Sequence, residues 1–264
     1  MLSYQHIYHA GNLADVHKHA LLAAMLDYLT RKDKPLSYIE THAGRGLYHL
    51  DDPQAARTGE AAAGIGVLGA AFAPDHPYRR VLDRVRALHG ADAYPGSPLV
   101  AALSLRPGDA MHLAELHPQE HAALVRTMAP HAAQVRREDG FAMALSLVPP
   151  TPRRGLMLID PSYEVKQDYA DIPTRIAAIR RRWNVGIIAL WYPLLTAAPH
   201  RPTIAAIRRD APEALVHEVH FPPVREGHRM IGSGMAVINP PYGLAGEAAR
   251  LTAIFAALAP QPSA

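Results

Sequence analysis

The chain contains no cysteine, which excludes disulfides, zinc–thiolate sites and cysteine nucleophiles. No apolar run approaches the roughly 20 residues needed to cross a bilayer. The opening Met1-Leu2-Ser3-Tyr4-Gln5-His6 lacks the basic start, long apolar stretch and small-residue cleavage site of a secretory signal. A cytoplasmic protein with no membrane association is therefore expected. Charged residues are sparse at 19%, while hydrophobic residues make up 49% of the chain, the balance of a soluble globular fold. Motifs of several enzyme classes are missing too. There is no HExxH, GxSxG, GxxxxGK[ST] or Ser-x-x-Lys pattern, which leaves hydrolase and NTPase readings without support. His17 and His19 stand two apart on a predicted helix, hence on opposed faces, and no other histidine group has ligand spacing. No metal is expected.

What is present leans toward polyanions. The formal charge is +3, there are 16 histidines, and the sequence pI is near 9.2. Arginine clusters at Arg153-Arg154, Arg180-Arg181-Arg182 and Arg208-Arg209 suit phosphate oxygens, although a solvated face explains any single cluster equally well.

At 264 residues the chain accommodates one large domain with a modest insertion, and no linker or repeat divides it. Leu21, Leu22, Met25, Leu26 and Leu29 recur at three- and four-residue spacing, which predicts an amphipathic helix over Asp15–Leu29. Apolar runs at Leu36–Glu40, Met111–Ala114, Ala133–Val135, Leu156–Ile159, Val185–Leu190, Val216–Val219 and Met235–Ile238 read as seven strands, mostly separated by helical stretches. That pattern predicts an α/β fold with an open, mainly parallel sheet. Residues 48–96 are too long for one crossover and read as a helical insertion, with helices over Gly59–Phe72 and Tyr78–His89. Ser97 then serves as a helix N-cap with Pro98 at the first helical position.

The first strand runs into Glu40-Thr41-His42-Ala43-Gly44-Arg45-Gly46, a turn through which a ligand can approach the backbone. A dinucleotide site does not fit, because the third glycine of GxGxxG would fall at His49. The acids ending the next two strands, Glu115 and Asp139, favour S-adenosyl-L-methionine. Glu115 is placed to accept from both ribose hydroxyls, and Asp139 from the cofactor's adenine amine. A helix N-cap or a loop carboxylate is the structural alternative for each.

The chemistry centres on Leu156-Met157-Leu158-Ile159-Asp160-Pro161-Ser162-Tyr163, an apolar strand opening into Asp-Pro-x-Tyr. The lone pair of an aromatic amine is delocalised into its ring, so the amine is a poor nucleophile. The Asp160 carboxylate and Pro161 carbonyl can accept its two protons and favour the pyramidal nitrogen, while Tyr163 stacks on the base. A second match, Asn239-Pro240-Pro241-Tyr242, ends the last strand, which in a sheet wound outward lies far from the switch point. It reads as a structural turn.

Together, Met1-Leu2-Ser3-Tyr4, His9-Ala10-Gly11-Asn12, Ala14-Asp15, Lys18-His19, Thr41-His42-Ala43-Gly44, Arg57-Thr58-Gly59-Glu60, Tyr94-Pro95-Gly96-Ser97-Pro98, Glu115-Leu116-His117-Pro118, Asp139-Gly140-Phe141, Asp160-Pro161, Leu190-Trp191-Tyr192-Pro193 and Asn239-Pro240-Pro241 resemble the RlmJ family of bacterial 23S ribosomal RNA adenine-N6 methyltransferases. The resemblance runs almost the full length. It implies a Rossmann-like methyltransferase fold with a helical insertion after the first strand, S-adenosyl-L-methionine as cofactor, and metal-free action, here taken to be as a monomer, on 23S rRNA. It also implies cofactor contacts at His19, His42, Ser97, Glu115, Asp139, Gly140 and Asp160, a catalytic centre at Asp160, Pro161 and Tyr163, and substrate contacts at Tyr4, Lys18 and Tyr163. Two positions depart from the family pattern: Ser162 replaces the usual proline, and Glu40 the frequent aspartate. Two other readings stand beside this one. The same chemistry on DNA adenine or a protein glutamine draws on the Asn239 turn, and a non-catalytic RNA-binding module draws on Ser162. Arg57 is a candidate phosphate contact, or else a salt bridge from insertion to core.

Overall fold

The computed structural model describes residues 5–165, 167–223, 227 and 229–258. In chain order the elements are α1 (Leu13–Thr30), β1 (Ser37–Glu40), β2 (Leu47–His49), α2 (Pro53–Ala56), α3 (Glu60–Ala63), α4 (Ile65–Leu68), α5 (Pro77–His89), β3 (Ala93–Pro95), α6 (Ser97–Ser104), β4 (Ala110–Ala114), α7 (Pro118–Met128), β5 (Ala133–Arg136) and α8 (Gly140–Leu147). Then come β6 (Gly155–Ile159), α9 (Asp168–Arg182), β7 (Ile187–Leu195), α10 (Arg201–Asp210), β8 (Leu215–His220), β9 (Met230–Ile238) and α11 (Leu244–Ala256).

Seven strands form one sheet in the order β5-β4-β1-β6-β7-β9-β8. The pairs β4–β5, β1–β4, β1–β6 and β6–β7 are parallel, whereas β9 runs antiparallel to both its neighbours, β7 and β8. The chain moves outward from β1 to β5, returns to β6 on the other side of β1, and so opens a crevice at the carboxyl ends of β1, β4 and β6. All seven sheet strands lie where the apolar runs predict. The last strand, however, is not outermost, because β9 slots between β7 and the edge strand β8. Pairing with β9 also lengthens β7 to Leu195, past the predicted end at Leu190.

One face of the sheet packs against a core that includes Val16, Leu21, Leu22, Met25, Leu26, Leu82, Val85, Leu99, Leu251 and Phe255 from α1, α5, α6 and α11. The other packs against Phe141, Met143, Ile172, Ile176, Ile179, Ile204 and Ile207 from α8, α9 and α10. Helix α1 is capped by Asn12, whose side chain accepts from Asp15 N. The expected amphipathic stripe is absent: from Leu13 to Leu29 nearly every position is buried, because sheet, α5, α6 and α11 surround the helix.

The stretch between β1 and α6 departs most from the sequence reading. Its ends pair as an antiparallel ribbon, Leu47↔Pro95 and His49↔Ala93. The single helix predicted over Gly59–Phe72 is instead α3, α4 and a 3₁₀ turn at Gly69–Ala71, broken at Gly64. Gly64 has a packing reason. A Cβ there would run into the Gly11 carbonyl oxygen, and that carbonyl accepts the Ile65 N–H at 2.8 Å. Buried Glu60 completes the attachment through His9 Nδ1 at 2.9 Å and Asn12 Nδ2 at 3.0 Å. Arg57 is exposed and forms no ion pair among the described residues; ion pairs from the insertion to the core are made elsewhere, as by Arg80 with Asp27 of α1 at 2.6 Å.

Candidate active site

A cavity of about 440 Å³ opens at the carboxyl ends of β1, β4 and β6. Its floor is the turn after β1, where Gly44 and Gly46 take φ of 64° and 79°, a left-handed geometry that glycine adopts without steric cost. The Gly44 N–H donates to Glu115 Oε2 at 2.8 Å and the His117 N–H to Glu115 Oε1 at 2.7 Å, so the backbone aims this carboxylate. Burial raises the Glu115 pKa above its ordinary value, and the two N–H groups pull the other way. Asp139 caps α8 by accepting the Ala142 N–H at 2.7 Å, which leaves its other oxygen without a hydrogen-bond partner among the described residues. The structural alternative for Asp139 is thus realised alongside a place in the cavity wall. Gly140 follows at a point of backbone contact, since a Cβ there would overlap the Thr41 carbonyl oxygen.

Above this floor lies α1. Lys18 Nζ reaches Asp160 Oδ2 at 2.5 Å and Asp15 Oδ1 at 3.0 Å, and stands 5.5 Å from the centre of the Trp191 ring. Burial opposes the Lys18 charge, but the two carboxylates outweigh it and hold the ammonium above its ordinary pKa. Asp15 is itself buried, with His6 Nε2 at 2.8 Å and the Gly11 N–H at 3.0 Å. Burial would raise this carboxyl, yet His6, Lys18 and His19 more than offset it and keep it well below the usual carboxylate range. His19 is pushed down to about 3 by burial and His42 to about 4, so both rings are neutral near pH 7. The His19 Nδ1 meets Tyr94 OH at 3.0 Å, while its buried Nε2 has no hydrogen-bond partner.

Tyr163 adopts φ 56°, rare for an aromatic residue. Its hydroxyl donates to the Trp191 carbonyl at 2.7 Å, and its ring lies 4.6 Å from that of Tyr169, which together hold the strained turn. Charge is the cavity's most telling property. The lining carries Asp15, Glu115, Glu120, Asp139, Asp160, Glu164 and Asp168 against one lysine, in a chain whose net charge is +3.

Lys18, His19, His42, Ser97, Glu115, Asp139, Gly140, Asp160, Pro161 and Tyr163 all line this one cavity. Tyr4 lies outside the described residues. Ser97 is not an N-cap: Gly96 holds that position, and the Ser97 hydroxyl donates to Glu40 Oε1 at 2.5 Å. Glu40, fully buried, also accepts from Tyr38 OH at 2.7 Å and is sealed off from the cavity lining. The Asn239 turn lies elsewhere. Because β9 is antiparallel, Ile238 pairs with Ile188 at the start of β7, which puts Asn239 at the opposite edge of the sheet from Asp160. Strand direction, not outward position, separates the two. Missed by sequence reasoning were Asp15 and Trp191. A buried acid three residues before a lysine on one helix was the available signal for the first, and the Leu190-Trp191-Tyr192-Pro193 block for the second. Among the described residues no group of three or more histidine, cysteine, aspartate or glutamate side chains is arranged to hold a metal, and no helix is long and apolar enough to cross a membrane.

The family model described as ribosomal RNA large subunit methyltransferase D, RlmJ, matches residues 33–262. The ribosomal RNA large subunit methyltransferase J of Escherichia coli is 39% identical over 249 residues, covering 92% of this chain and 89% of its own. That of Haemophilus influenzae is 36% identical over 250 residues, with the same coverage. The crystal structure of a Legionella pneumophila protein, 34% identical, superposes with a TM-score of 0.85 and covers 95% of this chain and 94% of its own.

Proposed function

This chain belongs to the RlmJ family of ribosomal RNA large subunit methyltransferases, and from that premise we propose that it methylates the N6 amine of an adenine in 23S rRNA, using S-adenosyl-L-methionine. The observation that carries the reading is the placement of Asp160, Pro161 and Tyr163 in the same acidic cavity as Glu115 and Asp139. The residues present fit the cofactor. Carboxylates in excess suit its sulfonium and ammonium charges, Glu115 and Asp139 can accept from its ribose and adenine, and the unpartnered His19 Nε2 offers a further polar contact. Bound S-adenosyl-L-methionine supplies the methyl group as an electrophilic carbon.

The protein's own part is orientation. Asp160 commits Oδ2 to Lys18, leaving Oδ1 and the Pro161 carbonyl to accept the two amine protons of the base. Asp160 is also the carboxylate placed to take the proton that the methylated nitrogen releases. Tyr163 and Trp191 supply aromatic walls, and Lys18 is fixed between two acids. Seven carboxylates repel phosphate, so the backbone of the RNA stays outside and only an unpaired or extruded base enters. Serine at position 162 leaves these acceptors and the Tyr163 ring in the cavity wall, which favours a working enzyme over an inactive module. In this reading the protein acts as a cytoplasmic monomer without a metal, one catalytic domain with residues 48–96 inserted in it.

Incubation with methyl-labelled cofactor and unmodified 23S rRNA, followed by digestion, should yield N6-methyladenosine, and Asp160→Ala should abolish it. Label entering DNA or protein instead, or cofactor binding without transfer, would overturn the proposal.

A further inference from the structure

His17 and Trp191 are far apart in the sequence and share one hydrogen-bond partner, Ser233. The indole of Trp191 forms part of the cavity wall, with the Tyr163 ring 6.0 Å away at 59°. Its Nε1–H can only donate, and it donates to Ser233 Oγ at 2.9 Å. Trp191 is opposite Met235 in the β7–β9 register, so Ser233, two residues along, shares the face of the sheet on which Trp191 stands. Helix α1 covers that face. From it the fully buried His17 brings Nδ1 to 2.8 Å of Ser233 Oγ and Nε2 to 2.9 Å of His217 Nδ1. His217 Nε2 is in turn 2.9 Å from Thr252 Oγ1, and Thr252 donates to the Ala248 carbonyl at 3.1 Å.

Counting protons gives this row one direction. Ser233 accepts from the indole and has one proton to give, for which His17 Nδ1 is the available acceptor. His17 therefore carries its proton on Nε2 and donates to His217 Nδ1. His217 likewise carries its proton on Nε2 and donates to Thr252, whose own proton goes to Ala248. The reverse direction would leave the proton of fully buried Ser233 without an acceptor among the described residues. Thr252 at the far end is exposed, so the direction is set from Ser233.

We propose that Ser233 and His17 are positioning residues that hold the Trp191 indole in one orientation beside Tyr163 and Lys18, and so set the width of the pocket for the acceptor base. The role of that pocket rests on the function proposed above; the holding of Trp191 does not. A ring only partly buried and released from Ser233 is free to turn about its side-chain bonds, and the slot for a planar base then loses its fixed wall.

The test uses two near-isosteres of His17 in the full-length protein. In His17→Asn the side-chain amide can keep a contact with Ser233 in place of Nδ1 and lose His217; in His17→Gln it can keep His217 in place of Nε2 and lose Ser233. Ser233→Ala removes the first link directly. Indole N–H exchange is read by NMR, with Trp191→Phe identifying the signal of Trp191 among the two tryptophans, and imidazole nitrogen shifts report the tautomers. Ser233→Ala and His17→Gln should speed indole exchange by about tenfold or more and raise KM for the rRNA by about tenfold, the loss of one buried hydrogen bond. Cofactor affinity should be unchanged, and His17→Asn should restore both properties to near the wild-type level. Protons on Nδ1 of His17 would overturn the proposal. So would equal losses in His17→Asn and His17→Gln with the Trp191 signal unmoved. Wild-type protein that showed the expected exchange pattern but methylated no rRNA would sink the assigned acceptor and leave the holding of Trp191 supported.

Discussion

Asp160-Pro161-Ser162-Tyr163 and Asn239-Pro240-Pro241-Tyr242 are two turns of similar pattern, with proline second and tyrosine fourth, each following an apolar strand and each containing one residue of positive φ, 56° at Tyr163 and 54° at Asn239. Their surroundings have little in common. The Asp160 side chain is 13% exposed and faces Lys18 in an acidic cavity. Asn239 donates to the carbonyls of Asn184 and Gly186, clamping the loop before β7, and Tyr242 is 87% exposed. Asparagine tolerates the left-handed conformation readily, whereas tyrosine is held in it at a cost of about 1–2 kcal/mol. The strained turn is the one in the cavity, and the relaxed one fastens a loop. A short motif therefore specifies a turn, and strand direction decides whether that turn meets a ligand.

The sharpest way to break this contrast is to exchange the consequences of the two turns. Asp160→Ala should lower methyl transfer by at least about a hundredfold, since it removes the acceptor proposed above for the reacting amine. Single-turnover rates on rRNA that fall further for Asn239→Ala than for Asp160→Ala would reverse the assignment. Next in size is Gly140→Ala, where the added methyl meets the Thr41 carbonyl. The strain should cost about 1–3 kcal/mol in denaturant unfolding and also weaken the cofactor; unchanged stability would mean that α8 approaches β1 less closely. Asp139→Ala should reduce S-adenosyl-L-methionine affinity by about 1–3 kcal/mol and loosen the cap of α8, with calorimetry as the check.

Glu40 tests the same edge of the sheet through pH. Burial pushes its carboxyl up to about 8 against the pull of the Ser97 and Tyr38 hydroxyls. Below its unfolded value of about 4.3 both states hold the proton. Between there and about 8 the unfolded chain ionises first, so stability is lost as pH rises through that window. Glu40→Gln cannot ionise, so its melting temperature relative to wild type should climb from about pH 5 to about pH 8. A constant difference would mean that Glu40 is already ionised in the fold. The smallest functional effect belongs to Asn239→Ala. It should leave transfer within about threefold while costing about 1–2 kcal/mol of stability, from two lost hydrogen bonds and a left-handed alanine.

Much of the sheet was legible because its inner strands are apolar on both faces and end in glycines, prolines or acids, as Leu156–Asp160 does. The direction of β9 was not, since hydrophobic periodicity is the same read either way. Nor was the β2–β3 ribbon, three residues at each end of a long interval, whose pairing depends on contacts remote in sequence. Ser97 lines the cavity as a donor to Glu40 and not as the expected N-cap, because serine before proline fits a cap and a buried carboxylate equally well. Asp15 escaped notice since an acid in the first helical turn ordinarily complements the helix dipole; only the folded chain sets it against Lys18 and His6.

Helix α1 has apolar neighbours on every side, so its hydrophobic pattern alone does not say how it is rotated about its axis. Three consecutive residues do, about 100° apart on the helical wheel. His17 reaches Ser233 and His217 on the sheet, Lys18 reaches Asp160, and His19 reaches Tyr94 at the base of the inserted stretch. Like a plug with three pins, the helix seats at a single angle, and any turn that eased one contact would strain the other two. Double substitutions among the three should therefore depart from additivity in unfolding stability.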